Sequence, residues 1–277
     1  MPQQNNKLQR AKNTKNDEFY TLYENIEKEI SFYKEELKGK VIYLPCDSEE
    51  SNFWKYLKNN FKEYELKSLI ATHYEKDSIS YKLEYDGKEI NKTPLKGDGN
   101  FESEECVNIL KTADVVITNP PFSKWRMFFD LIKEKKFLIV SPITALTYKD
   151  VFPYIKEKYI FQGASERKNN NMSFSTPNGE IRKVPSIWMT NIKYVKTDTW
   201  ELTKTYNEKD YPKIDGTNII NIDRSKDVPI DYYWDMAVPV TFLSKIDYDK
   251  FEIISSLRPI IQGKQIFKRI VIRRKRV

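Results

Sequence analysis

Short apolar strands alternate with amphipathic helices through the first half of the chain, and this alternation limits the fold more than any other feature. The runs "VIYLPC", "LKSLIATHY", "DVVITN" and "KFLIVS" are short and apolar, as buried strands are. Between them, "SNFWKYLKNNF", "ESEECVNILKTA" and "SKWRMFFDLIKEK" carry apolar residues at helical spacing. Strands joined through helices pair in parallel, so the pattern predicts a doubly wound α/β fold with a mostly parallel, twisted sheet.

Other segments add to this core pattern. A helix is predicted over "NDEFYTLYENIEKEISFYKEELKGK", and "SISYKLEYDGKEIN" predicts a hairpin that turns at Asp86-Gly87. "TYKDVFPYIKEKY" predicts a further helix, "GASERKNNNMSFSTPNGEIRK" a mobile loop, "VPSIWMTNIKYV" a strand, and "QIFKRIVIRRKRV" a basic strand or tail. We therefore expect a mobile polar leader (1–16), a main domain (17–195), and a C-terminal region (196–277) with a basic tail (264–277).

The turn "NPPF" at residues 119–122 lies between a strand and a helix, where sheets of this kind bind ligands. An exocyclic aromatic amine such as N6 of adenine is a poor nucleophile because its lone pair is delocalised into the ring. The Asn119 side-chain oxygen and the Pro120 carbonyl suit the two N–H groups of such an amine. The Phe122 ring is suited to stack on the face of the aromatic ring that carries this amine. Pro121 stiffens the turn because its φ is fixed.

The same turn has a purely structural interpretation. Two prolines end a strand, since proline cannot donate to a sheet, and Phe122 would then only fill the core. The strand before the turn and the helix after it favour the functional hypothesis.

Composition disfavours several other chemistries. His73 is the sole histidine, and Cys46 and Cys106 are the sole cysteines, so we expect no metal site and no histidine-based triad. Two cysteines without a pairing framework favour the cytoplasm. No apolar stretch reaches the ~18 residues that span a bilayer, so we expect no membrane partner. The net charge of +7 favours a polyanionic partner, although a biased genome composition also produces such a charge.

Six segments, in chain order, resemble the motifs of the EcoRI-type adenine-specific DNA methyltransferases, which are modification methylases: "DEFYT" (17–21), "CDSEESNF" (46–53), "GDGNF" (97–101), "ITNPPF" (117–122), "VFPYIKE" (151–157) and "VPVTFLSK" (238–245). The resemblance implies a class I, Rossmann-like methyltransferase domain over 17–195 and an appended DNA-recognition region over 196–277. It also implies transfer of a methyl group from S-adenosylmethionine to N6 of an adenine flipped out of a specific double-stranded DNA site, with S-adenosylhomocysteine as product.

The resemblance further implies a set of cofactor-binding residues: Tyr20, Thr21, Cys46, Asp47, Ser51, Asn52, Phe53, Thr72, His73, Asp98, Phe101 and Asn119. Tyr20 and Thr21 are expected at the methionine end of the cofactor. Asp47 is expected at its ammonium, and Ser51 and Asn52, which begin a helix, at its carboxylate. Ser51 is equally explained as an ordinary helix cap. The loop "LPCDSEESNF" lacks the glycine pattern of most methyltransferases, a departure that the EcoRI-type enzymes share.

The other end of the cofactor is expected near two further segments. Thr72 and His73 end the second strand, where methyltransferases hold the ribose or adenine, although a lone histidine is often merely structural. Asp98 is expected to accept from the adenine amine and Phe101 to pack on its ring. A plain Gly-Asp-Gly turn is the alternative explanation of that segment.

Basic residues near these motifs are candidates for contact with DNA phosphates: Lys124, Arg126, Arg167, Lys168, Arg182 and Lys183. A solvated basic surface explains each of them equally well. The segment "KNNNMSFSTPNGE" matches the family poorly, so no recognition sequence is implied. The enzyme is expected either to act beside a restriction endonuclease of the same site, without direct contact, or to be an orphan methylase.

Three other functions also fit parts of this sequence. Asp47 with Glu65-x-Lys67 imitates a metal-dependent nuclease, but E-x-K recurs by chance in a chain rich in Lys and Glu. The same pair of acceptors also suits adenine in RNA, N4 of cytosine or a protein glutamine. A nucleic-acid-binding protein that has lost catalysis fits less well, because Asn119 and Phe122 are intact.

Overall fold

The computed structural model describes residues 19–74, 79–165, 171–176, 178–194 and 198–276. The chain divides into two compact units. Unit 1 comprises Met1–Pro142 and Gly163–Tyr194, and unit 2 comprises Ile143–Gln162 and Val195–Val277. Residues 143–162, which the sequence assigns to the main domain, therefore cluster with the C-terminal region instead.

Unit 1 alternates short helices with strands. Its helices are α1 (Tyr23–Ile30), α2 (Lys34–Leu37), α3 (Asn52–Asn59), α4 (Glu104–Thr112) and α5 (Trp125–Ile132). Its strands are β1 (Tyr20–Thr21), β2 (Val41–Leu44), β3 (Ser68–Thr72), β4 (Tyr81–Tyr85), β5 (Ile90–Pro94), β6 (Val115–Thr118), β7 (Lys136–Pro142), β9 (Asn171–Ser175) and β10 (Ile181–Thr190), while β8 (Phe161–Gln162) belongs to unit 2.

The strands of unit 1 pair in the order β1-β9-β10-β7-β6-β2-β3-β4-β5. The central strands β7, β6, β2 and β3 are parallel, as predicted. Antiparallel strands extend the sheet on both sides, with β4 and β5 beyond β3, and β10, β9 and β1 beyond β7. The sheet is therefore mixed rather than mostly parallel, because hairpins add strands through short turns without a helical crossover.

The order of the central strands reverses at one point. From β2 the chain moves to β3 on one side, and it later returns to place β6 and then β7 on the other side of β2. Sheets of this type bind ligands beyond the carboxyl ends of the strands at such a reversal. The residues that follow β2 and β6, namely Cys46, Asp47 and Asn119, therefore lie at the expected ligand-binding edge.

The hairpin predicted around Asp86-Gly87 is confirmed. Asp86 Oδ1 accepts hydrogen bonds from the backbone N–H groups of Lys88 and Glu89 at 2.8 and 2.9 Å, and Gly87 has a φ of 93°. A side chain would be strained in that left-handed conformation, so glycine is the residue that suits this position.

The loop prediction for "GASERKNNNMSFSTPNGEIRK" is wrong at residues 171–175 and 181–183, while residues 166–170 and 177 of this segment lie outside the described ranges. Asn171–Ser175 forms β9, which pairs with both β1 and β10, and β10 begins at Ile181. Met172 and Phe174 are buried in the core of unit 1. Two apolar residues at strand spacing thus outweigh a polar composition, because strands on both sides of β9 satisfy its backbone groups.

A buried carboxylate joins α1 to the segment before β9. Glu29 accepts hydrogen bonds from Tyr33 Oη at 2.8 Å, Ala164 N at 2.8 Å, Ser165 N at 2.9 Å and Ser165 Oγ. A Cβ on Gly163 would overlap this carboxylate, so glycine is needed there. Burial, followed by the charge of Glu29, holds the pKa of Tyr33 well above its ordinary value. The four donors compensate the carboxylate for its loss of water.

We expect Glu29→Gln to lower the free energy of unfolding by about 2–4 kcal/mol, because an amide NH₂ cannot accept from the donors that face it. Glu27→Gln is the matched control, since Glu27 is exposed on the same helix, and it should change the value by less than about 0.5 kcal/mol. Urea denaturation measures both variants. Equal values for the two would contradict a stabilising role for the buried carboxylate.

Unit 2 is built around a smaller sheet. Its elements are α6 (Phe152–Lys156), β8, β11 (Ile220–Asn221), β12 (Met236–Pro239), β13 (Phe251–Leu257), β14 (Ile260–Ile261), β15 (Lys264–Gln265) and β16 (Arg269–Arg274). Four strands pair in the order β11-β12-β16-β13, and the basic strand predicted at the end of the chain is confirmed as β16. Pro153 lies in the first turn of α6, where its missing N–H costs nothing.

In the described part of the chain, no helix has the length and apolar character to cross a membrane.

Candidate active site

Asp47 links the carboxyl ends of three parallel strands. Its Oδ2 accepts a hydrogen bond from Thr118 Oγ1, at the end of β6, over 2.7 Å. Its backbone N–H donates to the Thr72 carbonyl, at the end of β3, over 3.0 Å. The Asp47 residue itself follows β2 and is only 6% exposed. Thr72, Asp47 and Thr118, which end three separate segments, therefore lie together in the fold.

The environment of Asp47 disfavours its charge. Burial raises the pKa of Asp47 to about 6 from an ordinary value of 3.8, although hydrogen bonds from Thr118 and Ser51 oppose the shift. No cation pairs with Asp47 among the described residues, and a buried carboxylate without one is poorly stabilised in its ionised form. This carboxylate therefore suits a positively charged group on a ligand.

Asn119 presents a buried oxygen without a hydrogen-bond donor. Its Nδ2 donates to the Phe19 carbonyl over 2.7 Å. A carbonyl can only accept, so the amide NH₂ must face Phe19 and Oδ1 must face away from it. This Oδ1 is buried and has no hydrogen-bond partner among the described residues. Such an atom in a native structure calls for an explanation, and a donor on a bound ligand would supply one.

The segment at residues 19–21 accepts hydrogen bonds from both Asn119 and Asn52. Asn52 Nδ2, at the start of α3, donates to the Thr21 carbonyl over 2.8 Å, and β1 pairs with β9. The Thr21 side chain is 3% exposed, and its Oγ1 also has no partner in the described part of the chain. Tyr20, the neighbouring residue, is largely exposed. Two unpartnered oxygens, on Thr21 and Asn119, thus belong to segments joined by hydrogen bonds.

The prolines shape the turn after β6. Pro120 is buried, and the Pro121 carbonyl accepts from Lys124 N over 3.0 Å, which closes a short 3₁₀ helix over Phe122–Lys124. Phe122 is partly buried and packs against the core of unit 1. The structural interpretation therefore accounts for part of the burial of Phe122, which is intermediate rather than complete.

Several predicted cofactor residues also have structural contacts. Ser51 caps α3 by accepting from Trp54 N over 3.1 Å, and Phe53 is buried edge-on to Trp188. Thr72 Oγ1 and Tyr43 Oη are 2.6 Å apart. The side chains of Phe53 and Thr72 are therefore engaged inside the fold.

The residues predicted at the adenosine end lie beside β3. His73 is half-buried, with its ring edge-on to Tyr81 at 5.9 Å between centroids. Asp98 is exposed and its Oδ1 accepts from Asn100 N over 3.0 Å, while Phe101 is buried edge-on to Phe128. These contacts are compatible with the plain-turn explanation, and the ligand contacts of His73, Asp98 and Phe101 stay predictions.

The two cysteines are free thiols. Burial raises the pKa of Cys46, followed by the charge of Asp47, and Cys106 Sγ lies 3.7 Å from Thr72 Oγ1 and 3.7 Å from the Gly99 carbonyl. Across the described ranges, no three His, Cys, Asp or Glu side chains form a group that could hold a metal ion.

The candidate DNA contacts are spread over the surface. Lys124 Nζ lies 5.8 Å from the centre of the Phe101 ring, and Arg126 is exposed on α5. Arg182 and Lys183 are exposed on β10, where Arg182 pairs with Glu180 over 3.0 Å. The remaining candidates, Arg167 and Lys168, lie outside the described residues, as do Asp17 and Glu18 of the "DEFYT" motif.

Two groups that contact predicted site residues are not singled out by the sequence: the Thr118 hydroxyl and the Phe19 carbonyl. Each acts on a residue far along the chain, since Thr118 contacts Asp47 and Phe19 contacts Asn119. Thr118 lies inside the quoted "ITNPPF" motif, but only the pairing of β2 with β6 brings it to Asp47.

We expect Asp47→Asn to stabilise the unliganded fold at neutral pH. The folded state holds the Asp47 proton up to about pH 6, whereas the unfolded chain releases it near 3.8, so ionisation of Asp47 costs stability as the pH rises between these values. The variant should gain about 1–3 kcal/mol at pH 7 and almost nothing near pH 4. Urea denaturation across this range tests it, with the exposed Asp98→Asn as control. A gain that does not depend on pH would contradict the assignment.

The chain is similar to known methyltransferases along most of its length. The chain matches the family described as "Adenine-specific methyltransferase EcoRI" over residues 7–275. It is 37% identical to the Type II methyltransferase M.EcoRI of Escherichia coli over an alignment of 319 positions, which covers 99% of this chain and 98% of its relative. It is 37% identical to M.MpnI of Mycoplasma pneumoniae and 34% identical to M.MgeORF184P of Mycoplasma genitalium, each over 90% of this chain and 85% of the relative. No solved structure matches the chain.

Proposed function

Because the chain belongs to the family of the EcoRI adenine-specific methyltransferase, we infer that it is a DNA adenine methyltransferase of the restriction-modification type. Its mixed α/β unit 1 is consistent with a methyltransferase fold. Relatives of this kind use S-adenosylmethionine, which when bound supplies a methyl group on a positively charged sulphur. The residue roles that follow are proposals.

The unpartnered Asn119 Oδ1 is the observation that carries the mechanism. We propose that it accepts one N–H of the adenine N6 amine and that the Pro120 carbonyl accepts the other. These two acceptors would orient the nitrogen lone pair toward the methyl carbon. They would also stabilise the positive charge that the nitrogen gains as the nitrogen–carbon bond forms and the carbon–sulphur bond of S-adenosylmethionine breaks, which leaves S-adenosylhomocysteine. One N–H proton then leaves to solvent. The bond from Asn119 to Phe19 keeps the amide in the required orientation.

Residues around Asp47 are proposed to hold the methionine end of the cofactor. The buried Asp47 carboxylate attracts the ammonium, and the backbone N–H groups at the start of α3 attract the carboxylate. Thr21 offers a hydroxyl that has no partner among the described residues. Tyr20 precedes Thr21 and Cys46 precedes Asp47 in the chain, so both are proposed to line the same site. Phe53 and Thr72 contribute by packing, because their side chains are engaged inside the fold.

We propose that unit 1 is a class I methyltransferase domain and that the C-terminal region supplies DNA recognition. The substrate is an adenine flipped out of double-stranded DNA, because the amine is not accessible for this chemistry inside the duplex. Phe122, which is only partly buried, is proposed to stack on that base. Basic residues such as Lys124 and Arg126 contact phosphates. A cytoplasmic enzyme paired with a restriction endonuclease of the same site is the corresponding biological role.

The test is transfer of labelled methyl groups from S-adenosylmethionine to duplex DNA, followed by digestion to nucleosides. We expect N6-methyladenine as the labelled product. Asn119→Ala should lower kcat by about 10²–10³-fold, as loss of a positioned charge-stabilising group does. Its dissociation constant for S-adenosylhomocysteine should change by less than about tenfold, because Asn119 acts on the substrate amine.

Asn108→Ala is the matched control, since Asn108 is exposed on α4, and it should keep full activity. Labelled N4-methylcytosine, or label only in RNA or protein, would support a rival substrate instead. Absence of N6-methyladenine in the wild type, or full activity in Asn119→Ala, would overturn the proposal.

A further inference from the structure

Four side-chain oxygens in the described part of unit 1 are buried without a hydrogen-bond partner: Thr21 Oγ1, Ser68 Oγ, Ser80 Oγ and Asn119 Oδ1. Thr21 and Asn119 already have proposed ligands. The two serines lie near opposite ends of β3, since Ser68 begins that strand while Ser80 follows it and precedes β4. Of these two serines, only Ser80 therefore lies at the ligand-binding edge of the sheet.

The position of Ser80 follows from strand pairing. Strand β4 runs antiparallel to β3 with Lys82 opposite Thr72, so Ser80 lies beyond the carboxyl end of β3. The Ser80 carbonyl accepts from Leu95 N over 2.8 Å, which holds its backbone. Its side chain is only 1% exposed. A hydroxyl in this position has lost water and has no hydrogen-bond partner among the residues that the structure describes.

The turn that includes Asp98 and Phe101 packs against Ser80. A Cβ on Gly99 would overlap the His73 carbonyl and lie 3.0 Å from Ser80 Cβ, so glycine permits this close approach. Ser80 thus lies between the end of β3 and the turn that the sequence predicts at the adenine of the cofactor. The Ser80 hydroxyl therefore lies near His73, Asp98 and Phe101, the residues that are expected at the nucleoside end of the cofactor.

The spacing along the sheet edge agrees with this placement. Asn119 follows β6, Asp47 follows β2, and Ser80 precedes β4 on the far side of β3. Neighbouring strands are about 4.8 Å apart, so three strand steps separate β6 from β4 by about 14 Å. An extended ligand with its reacting end at Asn119 and its ammonium at Asp47 has its nucleoside end on the β3 side.

We propose that Ser80 is a cofactor-binding residue whose hydroxyl forms a hydrogen bond with the adenosine half of S-adenosylmethionine. This inference rests on the proposed function. A serine hydroxyl both donates and accepts, and adenine and ribose offer groups of both kinds. Binding thus satisfies a hydroxyl that the unliganded chain leaves unpaired.

The experiment compares Ser80→Ala with Ser68→Ala, which removes an equally unpartnered serine hydroxyl from the opposite end of β3. Calorimetry measures the dissociation constants of S-adenosylhomocysteine and of 5′-methylthioadenosine, which lacks the amino-acid part. Ser80→Ala should raise both constants about five- to tenfold, and Ser68→Ala should change neither. Thr21→Val should raise the dissociation constant of S-adenosylhomocysteine but leave that of 5′-methylthioadenosine unchanged.

Neither serine variant should have a lower Tm without ligand, because each loses a buried hydroxyl that has no partner. Ser80→Cys keeps the volume with a weaker hydrogen-bonding group, so it should bind with intermediate affinity and serves if Ser80→Ala fails to fold. Wild-type affinity of the Ser80 variants for both probes, or a loss confined to S-adenosylhomocysteine, would overturn this proposal alone. A wild-type protein that binds neither probe would overturn the proposed function with it.

Discussion

The hydrogen bond from Thr118 to Asp47 joins the ends of β6 and β2 at the point where the strand order reverses, and the candidate active site depends on it. The same Asp47 binds the end of β3 through its backbone N–H. Three strand ends are thereby held together in a sheet whose pairing already sets their spacing. Asn119 follows Thr118 directly, so the link that positions Asp47 also positions the amide proposed to bind the target amine.

The groups at this edge are costly to the unliganded fold. Asp47 has a pKa raised by burial, and the oxygens of Asn119, Thr21 and Ser80 are buried without donors. Each costs folding free energy that a bound ligand with matching groups would return, because an unpaired buried polar atom has lost its water. Sites that violate the ordinary rules of burial in this way are where function is expected in an otherwise consistent fold.

Residues far along the chain hold the segments around the site. The segment at 19–21 is tied to Asn119, to Asn52 and to β9, so the first described residues of the chain complete the ligand-binding edge. A second long-range tie lies elsewhere in unit 1, where Glu29 accepts hydrogen bonds from the backbone N–H groups of Ala164 and Ser165. Both ties span more than 30 residues of sequence, which explains why local patterns did not reveal them.

Local chemistry was enough to predict much of this protein. Hydrophobic period, caps and turn residues predicted the parallel strands, their helices, the Asp86-Gly87 hairpin and the rigid turn at Asn119, because each depends on neighbours within a few residues. The contact of Thr118 with Asp47, the orientation of Asn119 toward Phe19, the strand hidden in a polar segment and the burial of Ser80 came only from folding. Each of these depends on which strands become neighbours, and pairing between distant segments leaves no mark in the local sequence.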